Sequence, residues 1–106
     1  MGLSITLRQD DGEVFSNNIT HNLTEMADAV GIYHVLWRPE ELGFTKARDL
    51  IDDLSRGLLL LMHDRKKYEV FNAQNGWGTY EHFVPFVQRI LQACCDNPDA
   101  IIEVSR

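Results

Sequence analysis

Leu3-Ser4-Ile5-Thr6-Leu7-Arg8-Gln9-Asp10-Asp11-Gly12-Glu13-Val14-Phe15-Ser16-Asn17-Asn18-Ile19-Thr20-His21-Asn22 is the stretch that decides how this chain folds. Leu3, Ile5 and Leu7 alternate with Ser4, Thr6 and Arg8; further on, Phe15, Asn17, Ile19 and His21 alternate with Ser16, Asn18 and Thr20. Period-two alternation marks strands with one buried face, and Asp10-Asp11-Gly12 supplies turn chemistry between them. A two-residue turn at Asp11-Gly12 would pair Leu7 with Ser16 and set the apolar residues on opposite faces. A three-residue Asp10-Asp11-Gly12 loop pairs Leu7 with Phe15 and Leu3 with Ile19 on one face. Because a one-residue slip inverts every side chain, the second register is predicted, with Gly12 left-handed in a bulge turn. Asn17 then lies opposite Ile5, and His21 ends the covered face. The other face is small and polar throughout.

Helices follow. Asn22 and Glu25 have capping-box spacing with Asn22 as the cap, so a helix starts near Leu23 and ends at Gly31. Ile32 to Trp37 reads equally as a short helix or an extended segment. Pro39 and Gly43 bracket a single turn. Thr45 caps the clearest helix, about 46 to 63, whose inner stripe is Ala47, Leu50, Ile51, Leu54, Leu58 and Leu61. A loop from His63 to Gly78 leads to a last helix capped by Thr79, with Phe83, Val84, Val87, Ile90, Leu91 and Cys94 inside and a bend at Pro85. Ala100 to Ser105 alternates enough for a final strand beside the first, giving the order two-one-three. The fold class is therefore α+β in one domain spanning 1–106. It has two layers: a small three-stranded antiparallel or mixed sheet, covered on one face by about three helices.

Composition narrows the function classes. Hydrophobic residues are 44% of the 106 and charged ones 25%, as in an ordinary globular domain with one modest core. The net charge of −6 argues against a phosphate-backbone binder, so no direct nucleic-acid binding is expected. Leu58–Met62 is the longest apolar run, far too short to cross a membrane, and the first residues carry no secretory signal pattern. Met1-Gly2 with Thr6 matches a myristoylation spacing, but Leu3-Ser4-Ile5 reads as strand. Adjacent Cys94 and Cys95 in a helical pattern suit reduced thiols, one in the core and one near the surface, in a cytoplasmic protein.

Two polar segments are the candidate sites. Asn17, Thr20 and His21 sit where strand hands over to helix: His21 would be a general base there, or the group would simply satisfy backbone atoms. In Asn75-Gly76-Trp77-Gly78-Thr79-Tyr80-Glu81, the glycines shape a turn, and Trp77 and Tyr80 either stack on a ligand or plug the core edge. Together Asn17, Thr20, His21, Trp77, Tyr80 and Glu81 would line a pocket between 17–22 and 75–82. The four histidines (His21, His34, His63 and His82) have no metal-ligand spacing, and no phosphate or dinucleotide loop occurs. No metal, cofactor or catalytic residue is expected. Leu59, Leu60 and Met62 widen the apolar arc beyond one buried stripe, so they are covered by the 63–78 loop or form an interface.

Four segments also carry a resemblance. Asn18-Ile19-Thr20-His21-Asn22-Leu23, Leu36-Trp37-Arg38-Pro39-Glu40-Glu41, Asn75 to Glu81, and the tail from Pro98-Asp99-Ala100 to Val104-Ser105-Arg106 resemble a family of small bacteriophage and prophage proteins. The likeness covers nearly the whole chain after the first strand, and Cys95 beside Cys94 departs from the single cysteine usual there. It implies a phage or mobile-element origin and no particular activity. The reading that results is a non-enzymatic accessory module that binds a protein, such as a host factor, and forms a homodimer. The rivals are a small-ligand or catalytic domain using the 17–22/75–82 pocket, and a minor phage structural protein.

Overall fold

Strands β1 (Gly2–Gln9) and β2 (Gly12–Thr20) form the expected hairpin, and β3 (Ile101–Ser105) lies along the other edge of β1. The computed structural model describes residues 2–106. All pairings are antiparallel and the order is β2-β1-β3, so the chain is a small α+β fold. Leu7 faces Phe15, Ile5 faces Asn17 and Leu3 faces Ile19, the predicted register.

That register is reached by another route. The turn is Asp10-Asp11 alone, with φ of 53° and 67°, and Gln9 pairs with Gly12. Gly12 is an ordinary strand residue. The extra residue is absorbed at Val14, in a bulge where Leu7 gives way to Arg8. Aspartate tolerates the left-handed region, and a turn with both central residues there twists with its strands. The polarity pattern fixed which faces match, and a bulge served as well as a longer loop.

Helix entries also differ from expectation. The Thr20 hydroxyl, not Asn22, accepts a main-chain N–H, that of Asn22, and opens a 3₁₀ turn over His21–Leu23. Helices α1 (Thr24–Ala29) and α2 (Tyr33–Trp37) follow, the second resolving the ambiguous apolar segment as helix. Pro39–Leu42 is the predicted single turn, closed by Gly43 at φ 74°. The chain then enters α3 (Ile51–His63) through a 3₁₀ turn at Ala47–Leu50. Thr45 does not cap it. The Asp49 carboxylate accepts the N–H groups of Thr45 and Lys46, each at 3.0 Å.

The expected 63–78 loop contains α4 (Arg65–Glu69), whose Tyr68 is buried. Among the described residues five α-helices thus stand where about three were predicted. The last, α5 (Tyr80–Asp96), runs through Pro85. Thr79 sits at its start, but its hydroxyl pairs with His82 Nδ1, and Asn72 Oδ1 takes the Tyr80 N–H instead. Helix α5 packs on both α3 and β2. Leu3, Ile5 and Leu7 are buried with Leu54, Phe83 and Val87, each worth about 1.5–3 kcal/mol of transfer free energy. Gly57 is buried too, because a Cβ there would lie 2.6 Å from Ile32 Cγ2.

Candidate functional site

The turn before α5 is fixed mostly by main-chain and asparagine hydrogen bonds. Ala73 N–H donates to Gly78 O, Gly76 N–H to Ala73 O, and Trp77 N–H to Asn75 Oδ1. Asn22 Nδ2 donates to the Trp77 carbonyl at 2.8 Å, tying the turn to the end of β2. Gly78 has φ 107°, and a Cβ there would come within 3.0 Å of Thr20 and Asn22 side chains. Only glycine permits that approach. The tethered backbone leaves the Trp77 side chain outside: the residue is 72% exposed and plugs no core.

Trp77 stands at one end of a cleft of about 450 Å³. One wall is Asn17, Asn18, Ile19 and Thr20, four consecutive residues of β2. Successive strand side chains point to opposite faces, so a wall of four in a row is the strand's edge. The opposite wall is a face of α5, from Glu81 and His82 past Pro85 to Phe86 and Arg89. Ile19 and Phe86 are 8% and 3% exposed and form an apolar floor.

The structure brings four of the six predicted site residues together: Asn17, Thr20, Trp77 and Glu81 share this cleft. His21 and Tyr80 do not. His21 Nδ1 accepts from the buried Trp37 indole at 2.9 Å, and the Tyr80 hydroxyl donates to Leu61 O at 2.9 Å. Both are joints. Asn18, Phe86 and Arg89 belong to the cleft and were absent from the predicted set. The available signal was Phe86, a large apolar residue at helical spacing from Phe83 and Ile90 that the predicted stripe left out.

Electrostatics divide the cleft. Arg65 Nη2 holds Glu81 at 2.7 Å while its Nε holds Glu69 at 3.2 Å. Glu69 first, then Glu81, raises the Arg65 guanidinium above its ordinary value. Glu81 is therefore already partnered. Arg89 makes no ion pair among the described residues.

The apolar arc is on the surface. Leu59, Leu60 and Met62 are 71%, 42% and 57% exposed, and the 63–78 segment folds into α4 rather than over them. Among the described residues, no three His, Cys, Asp or Glu side chains converge as a metal site would require. Cys94 is buried, and desolvation, with Cys95 second, pushes its thiol up to about 12. No helix among the described residues is long and apolar enough to cross a membrane.

Neither a protein-family model, nor a curated protein, nor a solved structure matches this chain.

Proposed function

We propose that this protein is a non-enzymatic module that docks another protein in the cleft between β2 and α5, with Trp77 as the anchor. The observation that carries this reading is Trp77 itself, an exposed indole on a turn held by Asn22 and Asn75. A large aromatic left in water loses the burial it gains on binding, and a rigid mount lowers the ordering cost of docking. Read with the four-segment likeness, the module is a phage or prophage accessory protein and the partner a host factor.

Selection from a displayed random-peptide library tests it. Wild type should enrich peptides that bind Trp77→Ala at least tenfold more weakly, with circular dichroism of the variant unchanged. Failure to enrich any peptide, or equal binding by the variant, removes the proposal.

A second surface has its own support. The exposed Leu59, Leu60 and Met62 lie on α3, with acidic Asp52 upstream and basic Lys66 beyond its end. An antiparallel pairing of two such helices sets acid against base at both ends while burying the apolar middle. Light scattering over a concentration series should show a dimer that Leu59→Asp converts to monomer. A wild type that stays monomeric throughout ends this second reading.

A further inference from the structure

An antiparallel strand alternates residues whose N–H and C=O face its partner with residues whose groups face away. On β2 the Asn18 N–H donates to the Asn17 side chain at 2.9 Å, so Asn18 is of the outward kind. Its pairing opposite Ser4 then makes Ser16 and Thr20 outward as well, since each lies two residues away. Among the described residues no strand lies on that side, because β2 is the outer member of the order β2-β1-β3. Asn18 and Thr20 of this row line the Trp77 cleft, and Ser16 continues the row beyond it. The Asn17 carboxamide occupies the Asn18 donor as the carbonyl of a neighbouring strand would.

We infer that the cleft takes an extended acidic peptide, which adds to β2 as a fourth strand. The inference rests on the reading of the cleft as a protein-docking site and names the mode and the partner's chemistry. Main-chain pairing with Ser16, Asn18 and Thr20 supplies the strand-addition contacts, displacing the Asn17 carboxamide from Asn18. Every second side chain of the added strand faces α5 and meets Ile19, Phe86 and the Trp77 indole. The charge comes from the α5 wall. Glu81 already shares Arg65 with Glu69, so Arg89 is the charged group of the cleft without an ion-pair partner among the described residues, although the whole chain carries −6. Arg89 lies about two helical turns beyond Glu81, and it selects a carboxylate at the end of the peptide away from Trp77.

The probe is the set of peptides enriched on wild type from the random library, compared on Asn18→Pro, Asn18→Ala and Arg89→Gln. Proline removes the outward N–H without touching a bond to β1, an edge position where it is tolerated. Circular dichroism checks each fold. Asn18→Pro should lose at least tenfold in affinity and Asn18→Ala less than threefold. Arg89→Gln should erase the preference for Asp- and Glu-bearing peptides. Hydrogen exchange on wild type gives a readout free of substitutions: peptide should slow the Ser16, Asn18 and Thr20 amides.

Peptides that depend on Trp77, yet bind Asn18→Pro normally and leave those amides unprotected, overturn strand addition while the docking reading stands. Enrichment without acidic residues overturns the charge assignment. A concentration-dependent dimer that Asn18→Pro disperses gives the edge to a second copy of the chain and overturns the peptide occupant. No enrichment at all removes the docking reading with it.

Discussion

The indole N–H of Trp37 donates to Nδ1 of His21 across 2.9 Å, fastening α2 to the end of β2. Trp37 is 1% exposed, and this imidazole is the acceptor its buried donor finds. The bond sets the tautomer, since an accepting Nδ1 leaves the ring proton on Nε2. A histidine held this way is a structural peg.

His21→Ala should therefore cost about 1–3 kcal/mol, the penalty of stranding a buried donor. Chemical denaturation followed by far-ultraviolet circular dichroism measures it. Trp37→Phe removes the donor together with its need, so the pair should couple in a double-mutant cycle. Additive losses from the two substitutions would show that the bond contributes nothing.

Asp49 gives the pH dependence. The N–H groups of Lys46, then Thr45, hold its carboxyl below the ordinary carboxylate value. A depressed folded value means the contribution is complete above the unfolded value of about 3.9 and fades as pH falls through the folded one. Asp49→Ala should lose about 0.5–2 kcal/mol at neutral pH, the worth of a helix cap. The difference from wild type should close in acid, below about 3.9. A difference independent of pH would assign the loss to packing.

The hairpin register, the strand order and most of the inner stripes of α3 and α5 were legible, because each follows from which residues must be dry; Val84 and Leu91 are only partly buried, and Phe86, outside the predicted stripe, is buried. Leu7 and Phe15 find one another whatever turn joins them. Capping was less legible. Thr20, Asn22, Asp49 and Asn72 are all short polar residues near helix starts, and sequence spacing does not say which oxygen reaches which N–H. The cleft was half legible: Asn17, Thr20, Trp77 and Glu81 met as expected, whereas Phe86 and Arg89 depend on how α5 crosses β2. His21 and Tyr80 have the chemistry of site residues, and only the positions of Trp37 and the Leu61 carbonyl reveal them as joints.

Gly57 tests the packing of α3. Alanine is about 1 kcal/mol better than glycine in a helix interior, so propensity alone favours Gly57→Ala. Its methyl would lie 2.6 Å from Ile32 Cγ2, and Ile32 is buried with little room to retreat. Overpacking of this kind costs about 1–3 kcal/mol, so a net destabilisation is expected. Thermal unfolding should show a lowered midpoint, and the loss from Gly57→Ala should shrink on an Ile32→Ala background, which removes the Cγ2 methyl. A stabilised single variant would mean the Ile32 side chain yields freely.

The adjacent cysteines should behave as different chemical species. Cys95 is exposed, whereas Cys94 is buried and its thiol is pushed up to about 12. The thiolate is the reactive form, so burial and the raised value both hold Cys94 back. An aromatic disulfide reagent at mild alkaline pH should titrate one thiol rapidly in the native protein and the second only on denaturation. Cys95→Ser should abolish the fast phase and leave stability within about 0.5 kcal/mol, as for an exposed site. Cys94→Ser should instead leave the fast phase intact and destabilise the core, because it buries a hydroxyl where a weakly polar sulfur packed. Two equally fast thiols in native protein would show that this turn of α5 opens on the time scale of the reagent.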